Sequence, residues 1–294
     1  MDSVAASKTI PLPTFLRLVR VYFSMLGAWL PGVSARLFWR LFTTPIRNSL
    51  KPPHLALLAK AERYTFKMES IPGGQTRTLQ AYKWHAHGPR RALLLHGWSG
   101  KALDYYKLIP MLTEAGLRVE AFDFAAHGAS TGQRTHALEL MAAVRTYVAE
   151  FGMPEIIIAH SLGAAATAWL LAHEPLQVHM LVMLAQPVHL AHAFDVGFAT
   201  LHVPKNLRAS SVRYVENLLR MQLHPMSLAR MPDEIKAERL LVVRVPGDEE
   251  IPDEHFAEFA ARHPQAEVYN ALDTTHSLVL RNKAALAWVV GQIG

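Results

Sequence analysis

The segment Ala159-His160-Ser161-Leu162-Gly163-Ala164 follows an isoleucine run and opens an alanine-rich one. A serine flanked by small residues two places before and two places after, at a strand-to-helix junction, fits a nucleophile elbow that lifts the hydroxyl above a sheet. The small flanks are needed because the turn brings two backbones together. The helix that follows directs its first N–H groups at developing negative charge. Ala159 stands where a glycine is usual, and Ala164, Ala165 and Ala166 keep the neighbouring helix small enough to accept the extra methyl group. Such a serine needs a base, and the base needs an orienting carboxylate, in the chain order Ser, Asp, His. Asp248, in Pro246-Gly247-Asp248-Glu249-Glu250-Ile251-Pro252, and His276, in Leu272-Asp273-Thr274-Thr275-His276-Ser277, each follow an apolar strand. Glu249, Glu250 and Asp273 are the other acids near enough in sequence to take the orienting role. The chemistry is nucleophilic: Ser161 attacks a carbonyl, His276 takes and returns the proton, and Asp248 fixes the imidazole tautomer.

An oxyanion also needs donors. His96-Gly97-Trp98-Ser99-Gly100 follows another short apolar strand, and its glycines let the backbone turn N–H groups toward the serine. The N–H groups of Trp98 and Leu162 are the natural pair for the oxyanion hole. A second His-Gly, in Asp123-Phe124-Ala125-Ala126-His127-Gly128-Ala129-Ser130, reads as bracing for the elbow region.

These stretches, in this order, resemble the α/β-hydrolase family from about Glu62 to the C-terminus. The resemblance implies an α/β fold with a mostly parallel eight-stranded sheet flanked by helices, a serine-hydrolase mechanism and a variable helical cap after the sixth strand. The expected function is cleavage of a carboxylic ester or thioester, in a small-molecule acyl substrate, through an acyl-enzyme and without a cofactor. C–C hydrolysis, acyl transfer or perhydrolysis would use the same triad. A non-catalytic membrane-peripheral binding protein on this fold is the alternative from another class, and it has no physical need for all three groups.

The elements that would hold these residues in place are legible as an alternation. Glu62–Glu69 and Thr76–Trp84 read as strands around the turn Pro72-Gly73-Gly74. Strands follow at 92–95, 118–124, 155–159, 178–184, 240–245 and 266–269, with helices expected near 103–114, 137–151, 162–171 and 284–290. Continuous Ile, Leu and Val in the strands indicate a sheet covered on both faces, with ligands beyond the strands' carboxyl ends. The interval 187–238 is too long and too apolar for a plain connection and reads as a helical cap inserted in a domain of residues 62–294.

Ahead of this domain, residues 1–50 read as an amphipathic helical extension. One helix is expected from Thr14, entered after Pro13, to Leu30, stopped by Pro31-Gly32, and a second is capped by Ser34 and ends before Pro45. Large apolar residues, Leu26 among them, stand beside Arg17, Arg20, Arg36 and Arg40 at helical spacing. Residues 14–43 are therefore expected either to dock on the protein's own core or to make a peripheral membrane contact or a homo-oligomer contact.

Composition sets the outer limits. Of 294 residues 51% are hydrophobic and 18% charged, which suits a large buried core. The absence of Cys removes disulfides, thiolate metal sites and a cysteine nucleophile. The net charge of +6 is uneven: residues 1–91 carry 14 basic and 3 acidic side chains, or +11, and the remainder 16 and 21, or −5. No zinc-finger, basic-zipper or RNA-binding signature accompanies that charge, so no nucleic-acid partner is expected. No phosphate-binding glycine loop is present, and the close pairs His85 with His87 and His189 with His192 lack a third ligand at metal spacing, so no cofactor or metal is expected. Arg17, Arg20 and two prolines before the first apolar run do not fit a secretory signal, and the charge-free stretch of 15 residues from Val21 to Ala35 is shorter than the roughly 20 that cross a bilayer. A cytoplasmic location, peripheral to a membrane if the helices bind one, is expected.

Overall fold

A computed structural model describes residues 14–25, 27–85, 87–223 and 226–294. Among them eight strands form one sheet in the order β1-β2-β4-β3-β5-β6-β7-β8. In chain order these are β1 (Glu62–Glu69), β2 (Thr76–Trp84), β3 (Arg91–Leu95), β4 (Arg118–Phe122), β5 (Ile156–His160), β6 (Val178–Leu184), β7 (Ala237–Arg244) and β8 (Glu267–Asn270). The first two join antiparallel, because a tight turn at 72–74 can link only antiparallel neighbours. β2 also pairs antiparallel with β4, whereas the pairings of β3 to β8 among themselves are all parallel and each crossover between them carries a helix. The central strands show why: β3 is Arg-Ala-Leu-Leu-Leu and β5 Ile-Ile-Ile-Ala-His, buried along almost their whole length. Two-sided burial needs cover on both faces, which crossover helices provide.

The helices are α1 (Thr14–Met25), α2 (Pro31–Phe42), α3 (Pro52–Leu58), α4 (Leu108–Glu114), α5 (Ala137–Phe151), α6 (Ser161–His173), α7 (Leu190–Leu201), α8 (Lys205–Leu219), α9 (Asp253–Arg262) and α10 (Lys283–Ile293). Three local readings are corrected. The expected helix near 103–114 is a short 3₁₀ turn, Ala102–Tyr105, followed by α4. Pro31 does not stop a helix but starts α2, since a first-turn residue needs no N–H. Ser34 consequently lies inside the helix, buried, with Oγ donating to the Gly27 carbonyl at 2.9 Å and 3.0 Å from the Tyr22 hydroxyl. The helix α3 was not read from the sequence, because two prolines at its start resemble a loop. The helix expected from Thr14 to Leu30 is α1 only as far as Met25, with a 3₁₀ turn at Gly27–Trp29, while Pro13 and Leu26 lie outside the described residues.

The chain divides into two compact units. One takes the described residues up to Phe42 together with His192–Met221, so the N-terminal helices and the middle of the insertion share a unit. Within it Phe38 meets Phe198 at 4.5 Å and Phe42 meets Phe194 at 4.7 Å between ring centroids, and the Arg20 guanidinium donates to the Thr200 carbonyl at 2.9 Å. Val19, Phe23, Phe38 and Trp39 are the buried large side chains of α1 and α2. The other unit, Thr43–Ala191 with Gln222–Gly294, contains the whole sheet. There the two ends of the insertion are pinned together: Leu190 N–H donates to the Met226 carbonyl at 3.0 Å, and Leu228 N–H to the Val188 carbonyl at 2.8 Å. Among the described residues no helix is long and apolar enough to cross a membrane.

Candidate active site

Ser161 is the first residue of α6, directly after β5, with φ +50°. A side chain at positive φ is strained, and the turn holds it there because two neighbouring backbones leave no alternative path. A methyl group on Gly163 would strike the carbonyl oxygen of His96, and one on Gly97 would come within 2.8 Å of Ser161 Cβ. Glycine at both positions lets the loop after β3 lie against the elbow. That brings Gly97, the residue before Trp98, against the serine, while Leu162 presents one of the α6 N–H groups that have no partner inside the helix.

His276 Nε2 lies 2.7 Å from Ser161 Oγ, and its Nδ1 lies 2.8 Å from Asp248 Oδ2. The tautomer that fits both donates Nδ1–H to the carboxylate and leaves Nε2 free to accept the serine proton. Asp248 Oδ1 in turn accepts from Glu250 N–H at 2.9 Å, which fixes the carboxylate plane. The Ser161 and His276 residues and the Asp248 side chain are all buried. Of the acids that sequence left open, Glu249 and Asp273 are exposed. The exposed Glu250 carboxylate stands 3.6 Å from Nε2, the nitrogen that faces the serine, and so is not placed to orient Nδ1. The structure thus brings Ser161, His276 and Asp248 into one hydrogen-bonded line.

Sequence reasoning gave His160 no part. Its Nε2–H donates to the backbone carbonyl of His276 at 2.9 Å, tying the loop that bears the base to the end of β5, one residue before the serine. Burial, then the neighbouring His276, pushes the His160 ring down to about 3, so it acts as a neutral strut. The two His-Gly loops are cross-braced by similar means. His96 accepts from Phe124 N–H at 3.0 Å and donates to the Gly97 carbonyl at 2.7 Å, with burial holding it down to about 4. Asp123 accepts from Ala102 N–H at 2.8 Å and Ala129 N–H at 2.9 Å. His127 Nε2 accepts from Ser99 N–H at 3.0 Å while Nδ1–H donates to the Ala125 carbonyl at 3.0 Å. Burial first, then His96, lowers His127 to about 3, with the Arg47 guanidinium adding to the effect. The ring keeps the lone pair that Ser99 needs.

The second unread feature is a strap, residues 43–51, that crosses these loops. Arg47 donates to the carbonyls of Ala126 at 2.9 Å, Ser130 at 2.7 Å and Gly132 at 2.8 Å. Ile46 N–H reaches Ser99 Oγ at 2.9 Å, and Lys101 Nζ donates to the Asn48 carbonyl at 3.3 Å. In sequence the only signal was an arginine in a polar linker. Among the described residues no group of three or more His, Asp or Glu is arranged to hold a metal ion.

A family model described as the α/β-hydrolase fold matches residues 93–222. A pyrethroid hydrolase of Sphingobium wenxiniae is 30% identical over 95 residues, covering 31% of this chain and 34% of that protein. Norfluorocurarine synthase 1 of a Strychnos species is 31% identical over 103 residues, covering 32% of this chain and 37% of the relative. The chain therefore spans about a third of the length of these curated relatives. An esterase structure from Pyrococcus furiosus superposes with a TM-score of 0.57 at 20% identity, over 85% of this chain and 95% of that one.

Proposed function

Because the chain belongs to the α/β-hydrolase family, we propose that it is a serine hydrolase cleaving carboxylic esters or thioesters through an acyl-enzyme. The observation that carries the reading is the continuous line from Asp248 through His276 to Ser161. Ser161 Oγ passes its proton to His276 Nε2 as it bonds to the carbonyl carbon, and the carbonyl oxygen becomes an oxyanion held by the N–H groups of Trp98 and Leu162. When the tetrahedral adduct collapses, the C–O or C–S bond breaks and the imidazolium proton goes to the departing alkoxide or thiolate. Water then attacks the acyl-enzyme with the same proton relay and releases the acid. Asp248 steadies the imidazolium throughout without itself taking the proton. No step calls for a cofactor or metal, and a cytoplasmic setting belongs to the same proposal.

The names of the pyrethroid hydrolase and the Pyrococcus esterase support ester hydrolysis. The relative named as a synthase favours a second reading, in which the same triad serves C–C hydrolysis, acyl transfer or perhydrolysis. A fluorophosphonate probe together with nitrophenyl esters of increasing chain length tests the first reading. The intact chain should be labelled and should turn over an ester. Ser161→Ala should lose the label and at least roughly 10³-fold of the turnover, with an almost unchanged melting temperature. Undiminished turnover in that variant would overturn the assignment.

A further inference from the structure

The helices α1 and α2 each use one face for packing and leave another in water. On α1, Val19 and Phe23 are buried, four residues apart on one side. Phe15, Leu18 and Met25 lie on a neighbouring side and are 64%, 65% and 69% exposed. The exposed set continues beyond the helix: Trp29 is 82% exposed, and Leu30 and Val33 about half. An apolar patch built from consecutive elements is not the scatter of single surface residues that folded proteins tolerate, and a patch of this kind marks a docking surface.

Charge decides the occupant. From Ser3 to Ala61 the sequence contains no Asp or Glu. The arginines exposed beside the patch, Arg17 on α1 and Arg36 on α2, stand with no acid anywhere in these helices. A second copy docked face to face would set these cations against their own images in a newly dried interface, which is unfavourable. An anionic lipid surface satisfies both halves of the pattern at once. The acyl boundary takes Phe15, Leu18 and Met25, the indole of Trp29 suits the headgroup level, and the guanidinium groups meet phosphate.

We propose that this face, Phe15, Leu18, Met25 and Trp29 with Arg17 and Arg36, is a peripheral docking site for anionic lipid bilayers. It does not depend on the catalytic reading, since no triad residue takes part.

The test is co-sedimentation of the full-length protein with vesicles of phosphatidylcholine alone and of phosphatidylcholine mixed with phosphatidylglycerol. Binding is expected to the mixed vesicles at low salt, to fall as salt rises, and to be much weaker on phosphatidylcholine. The triple variant Phe15→Gln/Leu18→Gln/Trp29→Gln should lose at least roughly tenfold in affinity while keeping the melting temperature, because all three side chains are already exposed. Arg17→Gln and Arg36→Gln should each cost about fivefold. No binding to mixed vesicles at low salt overturns the proposal, as does binding that the triple variant leaves intact. A concentration-dependent dimer that the triple variant abolishes, without any lipid binding, would make the face a contact between copies and likewise overturn it.

Discussion

His276 presents two nitrogens to two different acids, and the distances assign their parts. Asp248 meets Nδ1 at 2.8 Å, whereas Glu250 stands 3.6 Å from Nε2, on the side where the serine proton must pass. Under the proposed mechanism these two carboxylates separate cleanly by mutation. Asp248→Asn should lower kcat on the order of 10⁴-fold, because the amide can stabilise the wrong imidazole tautomer. Glu250→Gln keeps its backbone N–H on Asp248 and should change kcat by less than about tenfold, a surface carboxylate being largely screened. Steady-state ester kinetics on the two variants check this. Equal damage from both would mean that Glu250 shares the orienting role.

At the scale of elements, the loop after β3, which carries the proposed oxyanion donor, is held from outside by the strap 43–51. Ser99 has φ +55°, so the loop is bent where a non-glycine residue resists bending, and His127, Ile46 and Asn48 all bond to that one residue. Arg47 anchors the strap by three carbonyls of the 126–132 turn, which is also the turn that carries His127. A lysine cannot reproduce a fork of three donors in fixed geometry. Arg47→Ala is therefore expected to reduce kcat by roughly tenfold through displacement of the Trp98 N–H, with KM little changed. Arg47→Lys should recover only part of the loss. Ester kinetics with the fluorophosphonate labelling rate report it, and an unaltered kcat would show that the loop holds its own shape.

For the molecule as a whole, buried imidazoles shape the response to acid: burial also lowers His54, His136 and His263, and three further rings are lowered to definite values. His96, His127 and His160 are depressed to about 4, 3 and 3, all by burial first. They are neutral in the fold, so below the unfolded value of about 6.5 the unfolded chain takes protons that the native one refuses. Stability is then fully present above about pH 6.5 and is lost as pH falls toward 4, by about 1.4 kcal/mol per pH unit for each ring. Asp123, whose carboxyl burial pushes up, works in the opposite sense, gaining its proton natively before the unfolded chain would. One such group offsets only part of three. Thermal melts should show a clear fall in melting temperature between pH 7 and pH 5, and a flat profile across that window would contradict the buried, neutral state of these rings.

The sequence alone carried whatever is local. Period and turn chemistry fix the alternation of strands and helices, and the small residues around Ser161 announce an elbow because the close approach that demands them occurs within a few residues. The order of Ser161, Asp248 and His276 was legible for the same reason, each sitting in its own short post-strand loop. What the tertiary structure decided is what depends on residues far apart in the chain. His276 reaches Ser161 across 115 positions, and no periodicity tells which of four nearby acids will face Nδ1 once the loops are packed. Arg47 looked like linker charge until the 126–132 turn brought three carbonyls to it, and Pro31-Gly32 looked like a helix stop until a buried Ser34 found partners at Tyr22 and Gly27. The faces of α1 and α2 were ambiguous for a related reason: amphipathicity says that a helix has an apolar surface, and only packing shows how much of that surface its own fold consumes.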